Sequence, residues 1–146
     1  GGGMTVDSPW VDRMIEAHGV GEAVTQIERV PKEVLIWYYR NADVFVFASF
    51  DEGSPRVVKE AMVSELPVVA SDIPGVRMLD PEARALRYFD PGDAEALVEH
   101  LVRLTDRPEL RRRSGERGAR LAEAFTPEAT ARQFADLYRE KGLLYK

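Results

Sequence analysis

The chain has 146 residues, of which 45% are hydrophobic and 31% charged, a composition typical of one soluble globular domain. Its net charge of −5 argues against a nucleic-acid-binding surface, because such domains are usually basic. The absence of cysteine excludes disulfides, thiolate metal sites and a cysteine nucleophile. No apolar run reaches the ~20 residues that span a bilayer, and the first residues lack the pattern of a signal peptide. Residues 1–7 are therefore expected to be a tag or a linker at a cut site.

The first third of the chain predicts two helices and a buried strand. A helix is expected over 8–19, between a serine–proline start and a glycine stop, and 22–30 is a candidate first strand. A second helix begins at Pro31 and has one apolar face. Residues 43–49 form a nearly continuous apolar run, which favours a strand covered on both faces, as in a parallel sheet.

The remaining chain alternates between further strands and helices. A helix is expected to follow the loop at 51–55 and to end near Glu65. Strands are predicted at 66–72 and 83–89. Three more helices are predicted in the segments 90–105, 107–125 and 126–142, with Asp93 and Thr126 as caps and Gly142 as the last stop.

This alternation predicts the fold class. Strands that alternate with helices indicate βαβ units around a parallel sheet, so we expect an α/β fold with a Rossmann-like parallel sheet flanked by helices. Three clear strands and one weaker candidate are few for a doubly wound domain, which usually has about five or six. Residues 8–146 are therefore expected to form a partial domain, with 127–141 as the final helix.

The segment DEGSPRVVKEAM, residues 51–62, has the composition of an anion site between a strand and a helix. Gly53 permits a close backbone approach, Ser54 is a good helix cap, and Pro55 suits the first helical position. The free amides of 56–58 would then face outward at the positive end of the helix dipole. Such a helix start favours a bound phosphate.

Two glutamates accompany this helix start. Glu60 lies to one side of the apolar stripe of its helix, so its carboxylate can accept hydrogen bonds from two sugar hydroxyls, and Glu52 lies at the mouth of the loop. Alternatively, Arg56 and Glu60 form an ordinary surface pair at i, i+4, worth a few tenths of a kcal/mol. Spacing alone favours this simpler interpretation, because short motifs match often.

Two surface features are also notable. The arginines of the helix at 107–125 alternate with glutamates, which favours a solvated helix over a contact with an acidic lipid or a lipid-linked acceptor. Ile36 and Trp37 fall off the apolar face of their helix and are expected to be exposed. We predict self-association through these two residues.

Three segments of the chain together resemble a known family: YRNADVFVFASFDEGSPRVVKEAMVSELPVVASDIPG, DPGDAEALVEHLVRL and FTPEATARQFADLYRE. They are similar in order and spacing to the C-terminal domain of retaining GT-B glycosyltransferases of the group 1 or family 4 type. Those enzymes have two glutamates separated by seven residues, as Glu52 and Glu60 are here. The resemblance covers roughly residues 20–141. It implies a partial C-terminal domain of a GT-B fold.

The resemblance implies a reaction and a role for each site residue. The reaction is transfer of a hexose from a nucleotide diphosphate sugar to an acceptor hydroxyl, with retention of configuration. Glu52 would be the catalytic residue beside the transferred sugar, Glu60 would bind the ribose hydroxyls, and Val30 would lie near the base. The donor-binding loop would consist of Gly53, Ser54, Pro55, Arg56 and Val57. No cofactor and no metal are expected, since the chain has no Asp-x-Asp sequence.

The chain departs from the family pattern at several points. Glu65 replaces a usual glycine, and Met78 replaces a frequent glutamate. The arginine and lysine that grip the diphosphate belong to an earlier strand and loop in the family, and nothing upstream of residue 20 supplies them. The acceptor, a glycan or a lipid-linked molecule, would bind a missing N-terminal domain, so this fragment alone is expected to be inactive. The alternative is a non-catalytic α/β binding or scaffolding module. A cytoplasmic location is expected, either free or at the inner face of the membrane.

Overall fold

The computed structural model describes residues 9–27 and 29–141. The chain forms two compact units, which divide after Leu35. In the first unit, helix α1 (Pro9–Ala17) ends before Gly19, whose φ of +62° lies in the left-handed region that glycine adopts readily. The predicted first helix and its glycine stop are therefore confirmed.

The strand predicted at 22–30 is wrong for the described residues of that segment. A single 3-10 turn spans Gly21–Ala23, and the described residues after it have no regular structure before α2. The apolar side chains of Val24 and Ile27 are exposed. No described residue of this segment pairs with a strand of the sheet.

Helix α2 (Lys32–Asn41) begins in the first unit and ends in the second. Trp37 is exposed, with 58% of its surface accessible, as predicted, but Ile36 is half-buried. The reason is that Ile36 lies three residues before Tyr39, the buried residue of this helix, and positions i and i+3 share one face.

The second unit contains a three-stranded parallel sheet in the order β1-β2-β3. Its strands are β1 (Phe45–Phe47), β2 (Val68–Ser71) and β3 (Arg87–Phe89). All four residues of the central strand are buried. The predicted Rossmann-like α/β fold is therefore confirmed, although each strand is shorter than the apolar run that predicted it.

Helices surround this sheet, and the predicted caps of two of them are confirmed. Asp93 accepts a hydrogen bond from the Ala96 amide at 2.9 Å, and Thr126 accepts one from the Ala129 amide at 3.1 Å. The predicted stop at Gly142 lies outside the described residues. None of the helices in the described ranges is long and apolar enough to cross a membrane. The helices are α3 (Arg56–Val63), α4 (Pro74–Arg77), α5 (Ala94–Thr105), α6 (Pro108–Ala122) and α7 (Pro127–Glu140).

A buried carboxylate shortens the third strand. Asp80 is 1% exposed and accepts hydrogen bonds from the backbone amides of three residues, at 2.8–3.0 Å. These donors are Arg84, Ala85 and Leu86. Because their amides bond to Asp80, the first half of the predicted strand 83–89 forms a turn before β3 starts.

Candidate functional site

The loop 48–55 leaves the carboxyl end of β1 and leads into the N-terminus of α3. In open α/β sheets, ligands bind outside the carboxyl ends of the strands, at loops of this kind. Glu52, Gly53 and Ser54 are exposed in this loop, whereas Pro55 is buried beneath it. The structure therefore brings most of the predicted site residues to one end of α3.

The predicted cap of α3 is wrong. Pro55, with φ −68° and ψ 117°, occupies the cap position itself, and no side chain caps the helix. The Ser54 hydroxyl instead accepts a hydrogen bond from the Lys59 amine at 3.1 Å. The physical reason is that the restricted φ of proline suits the cap as well as the first turn, so the helix begins one residue later, at Arg56. The first amides of α3 consequently receive no side-chain acceptor at the cap.

Lys59 adds a positive charge to this end of the molecule. Its amine lies 3.1 Å from the Ser54 hydroxyl, and the side chain is half-buried. The ammonium group and the positive end of the α3 dipole therefore favour an anion at the same loop. Lys59 was not predicted as a site residue, because a lysine inside a helical segment has no distinctive sequence signal.

Glu60 does not form the surface pair that spacing alone favoured. Among the ion pairs in the described part of the chain, none joins Arg56 to Glu60. Instead, the Tyr39 hydroxyl donates to Oε2 of Glu60, with an oxygen–oxygen distance of 3.2 Å. Glu60 itself is exposed, so its carboxylate combines one fixed hydrogen bond with access to solvent.

Tyr39 is suited to be a permanent donor. The side chain is 6% exposed, and its ring lies edge-on to Phe45 with the centroids 5.8 Å apart. Burial first, and then the charge of Glu60, raise the pKa of the Tyr39 phenol to about 12. The phenol therefore keeps its proton at neutral pH and continues to donate to Glu60.

The loop also packs against α4, a short helix that was not predicted from the sequence. A Cβ atom placed on Gly75 would lie 1.8 Å from the carbonyl oxygen of Glu52 and 2.6 Å from that of Gly53. Only glycine permits this close approach. The sequence signal was the Pro-Gly pair at 74–75, which equally suits a simple turn.

An ion pair fixes α4 to the end of β2. The Arg77 Nε donates to Asp72 Oδ1 at 2.7 Å, and the guanidinium lies over the Tyr88 ring, 3.9 Å from its centroid. This contact is charge-assisted and partly buried, so it holds the helix that in turn supports the loop.

The other predicted residues are less closely associated with the loop. Val57 is partly exposed at 37% on α3, and Met78 is 70% exposed just after α4. Val30 is half-buried and belongs to the first unit, so its assignment to the base stays a prediction. Within the described ranges, no three His, Asp or Glu side chains are grouped as metal ligands would be.

Comparison with known proteins identifies relatives with glycosyltransferase names. The chain is 32% identical over 127 residues to the D-inositol 3-phosphate glycosyltransferase of Corynebacterium glutamicum (strain R), covering 87% of this chain and 30% of that protein. It is 30% identical over 136 residues to the alpha-D-kanosaminyltransferase of Streptomyces kanamyceticus, covering 92% of this chain and 35% of the relative. The chain thus spans about a third of the length of these relatives.

Solved structures show the same fold. Sucrose-phosphate synthase from Thermosynechococcus elongatus superposes with a TM-score of 0.79 at 30% identity, over 89% of this chain and 33% of that chain. TarM superposes with a TM-score of 0.77 at 19% identity, over 90% of this chain and 26% of its own, which supports the fold alone. The family model for glycosyl transferases group 1 matches residues 5–121. The chain therefore belongs to the group 1 glycosyl transferase family, and its fold is that of a partial GT-B C-terminal domain.

Proposed function

We propose that this chain provides part of the donor site of a retaining glycosyltransferase, which transfers a hexose from a nucleotide diphosphate sugar to an acceptor hydroxyl. The main support is the Glu60 carboxylate, which Tyr39 holds beside the uncapped start of α3. In a chain of the group 1 family, this combination of acceptor and anion site fits a nucleotide diphosphate.

The start of α3 suits the diphosphate. Its first amides have no side-chain acceptor at the cap, the helix dipole is positive there, and Lys59 adds a full charge close by. Departure of the diphosphate builds up negative charge in the transition state. Fixed amides and a nearby cation lower the free energy of that charge without having to reorient.

Glu60 suits the ribose. A carboxylate only accepts hydrogen bonds, and a ribose offers two neighbouring hydroxyl donors. Tyr39 bonds to Oε2, which restricts rotation of the carboxylate, and Glu60 is otherwise exposed to a ligand. Glu52, at the exposed surface of the supported loop, is assigned to the transferred sugar.

The acceptor is assigned to a part of the whole protein outside this chain. The relatives named above act, by their names, as a D-inositol 3-phosphate glycosyltransferase and an alpha-D-kanosaminyltransferase, and both are about three times as long as this chain. We infer a hydroxyl-bearing acceptor of the glycan or lipid-linked class and a cytoplasmic reaction. No contact in the described ranges favours the alternative of a scaffolding module.

Nucleotide binding tests this proposal. We expect UDP or GDP to bind the protein in calorimetric titration, and Glu60→Ala to weaken that binding by about tenfold or more, since a hydrogen bond to a charged group is worth about 1.5–3 kcal/mol. Glu99→Ala is the matched control, because Glu99 is exposed on α5. Equal affinities for the Glu60 variant and the parent would contradict the ribose role. Transfer of a labelled sugar by the whole protein, with its acceptor-binding part, then separates an enzyme from a binding module.

A further inference from the structure

A second group of cations lies away from the loop 48–55, which we call the donor loop. Arg84, Arg117, Arg120 and Leu121 line an open cavity of about 440 Å³. One guanidinium nitrogen of Arg117 donates to the backbone carbonyl of Arg84 at 3.3 Å, which holds the turn before β3 close to α6. We call the residues Arg84, Arg87, Arg117 and Arg120 the arginine cluster.

The arginine cluster lies at the amino ends of the strands, whereas the donor loop lies at their carboxyl ends. Arg87 is the first residue of β3, whereas the loop with Glu52 follows the last residue of β1. The strands are parallel, so their first residues lie at one end of the sheet and their last residues at the other end. A ligand of the arginine cluster is therefore not a ligand of the donor loop.

The charges of the arginine cluster are poorly compensated. Within the described ranges, neither Arg117 nor Arg120 has an acidic partner, and the only acid paired with Arg84 is the exposed Glu82. Two other arginines of the same helix are paired, whereas Arg113 has no ion pair within the described ranges. Arg111 pairs with Asp43, and Arg112 pairs with two glutamates of α6, as the sequence predicted for a solvated helix.

Arg87 lies near Arg117 but is not among the residues that line the cavity. Its Nε is buried and has no hydrogen-bond partner in the described part of the chain. Burial first, and then the charges of Arg103 and Arg117, lower the pKa of the Arg87 guanidinium, and Asp80 opposes them only weakly. Although the chain has a net charge of −5, the arginines here repel one another, and this repulsion raises the free energy of the folded protein at this place. A bound anion would remove that cost.

We propose that the arginine cluster binds a phosphate-bearing anion at a site separate from the donor loop. Guanidinium groups present forked donors that match phosphate oxygens, often two bonds at a time. The cavity between Arg84, Arg117 and Arg120 has room for such a group. The same chemistry fits a soluble phosphate compound or the headgroup of an anionic lipid, and experiment distinguishes these sources.

Inorganic pyrophosphate is the first probe. We expect calorimetric titration of the whole chain to show binding, and Arg117→Gln and Arg120→Gln each to weaken it by about tenfold, the effect of one lost charge-assisted contact. Arg112→Gln is the matched control. It makes the same charge change on the same helix, but its guanidinium is already paired with Glu109 and Glu116, so the affinity should stay within about twofold of the parent.

Two further arms complete the test. Sedimentation with phosphatidylglycerol vesicles, compared with phosphatidylcholine vesicles, reports lipid headgroup binding. If both Arg117→Gln and Arg120→Gln abolish it while Arg112→Gln does not, the anion is a lipid. Lys59→Gln weakens only the pyrophosphate binding of the donor loop, so the binding that depends on Arg117 and Arg120 should remain in this variant. Three results would overturn the proposal: binding of neither probe, equal losses in Arg112→Gln, or loss of pyrophosphate binding in Lys59→Gln alone.

Discussion

The Glu60 carboxylate receives its hydrogen bond from Tyr39, a residue 21 positions earlier in the chain. The sequence identified Glu60 from its place beside an apolar stripe but could not identify Tyr39, because that contact depends on how α2 lies beside α3. The same holds for the hydrogen bond from Lys59 to Ser54, which is present where Pro55, and not Ser54, takes the cap position. The site residues could thus be predicted from the sequence, whereas their hydrogen-bond partners could be identified only from the folded structure.

Removing the hydroxyl of Tyr39 tests its positioning role. Tyr39→Phe keeps the ring against Phe45 but removes the donor to Glu60. We expect nucleotide affinity to fall by about tenfold and the free energy of unfolding by about 1 kcal/mol. Calorimetric titration with UDP and urea unfolding measure the two effects. Tyr38→Phe, at a neighbouring residue 39% exposed, is the control, and equal effects of the two substitutions would contradict the role.

The raised pKa of the Tyr39 phenol predicts that the free energy of unfolding falls at alkaline pH. The pKa of Tyr39 is raised from 10.0 to about 12 in the folded protein. The contribution of the Tyr39 phenol to the free energy of unfolding is therefore complete below pH 10, where the phenol is protonated in both the folded and the unfolded protein. It is lost as the pH rises through about 12. Urea unfolding at several pH values should show a shallower decline for Tyr39→Phe than for the parent. Identical slopes would argue against a buried, Glu60-bonded phenol.

At the scale of elements, the end of α3 explains one departure from the family pattern. Glu65 has a φ of +56°, its amide bonds to the Met62 carbonyl at 3.0 Å, and the Leu66 amide bonds to the Ala61 carbonyl at 3.1 Å. These bonds define a Schellman motif, in which glycine is the usual residue at the left-handed position. The site therefore keeps the glycine conformation although a glutamate occupies it.

This conformation makes Glu65→Gly a stabilising substitution. A non-glycine residue in the left-handed region costs about 1–2 kcal/mol, part of which the greater unfolded-state freedom of glycine offsets. We expect a gain of about 0.5–1 kcal/mol in the free energy of unfolding, measured by urea denaturation. Glu65→Ala removes the same side chain but retains the strained φ, so it should give no gain. A comparable gain from alanine would contradict the explanation.

The contact between α4 and the donor loop gives a second test at this scale. Gly75→Ala would place a methyl group 1.8 Å from the Glu52 carbonyl, so the loop must move. We expect a loss of about 1–3 kcal/mol in stability and weaker UDP binding. In Gly118→Ala the methyl group would lie 3.7 Å from Met62, an ordinary contact, so this control should bind UDP normally. UDP binding unchanged in Gly75→Ala would show that the loop does not need this support.

For the whole molecule, alternation of apolar runs with helical segments was sufficient to predict a parallel α/β sheet. The strand at 66–72 was found because residues buried on both faces produce a continuous apolar sequence. The run at 43–49 also forms a strand, but its predicted cover on both faces is wrong, because Val46 in the middle of β1 is 37% exposed. The strand predicted at 22–30 failed although Val24 and Ile27 have suitable residue types, because both are exposed and no described residue of the segment pairs with the sheet. Helix α4 was missed because four residues give no helical period. The apolar pattern thus predicted the sheet, but which apolar runs pair as its strands depends on tertiary contacts that the pattern does not contain.

Self-association is the remaining prediction at this scale. Trp37 is 58% exposed, and its ring lies edge-on to Tyr38 with the centroids 5.3 Å apart, so α2 presents an aromatic surface to solvent. The hydrophobic effect favours burial of such a surface against a second copy of this chain. We expect sedimentation velocity to show concentration-dependent association, which Trp37→Arg weakens by about tenfold. Val63→Arg makes the same kind of change at a residue 65% exposed on α3 and should leave association unchanged. A parent chain that stays monomeric at every concentration would contradict this prediction.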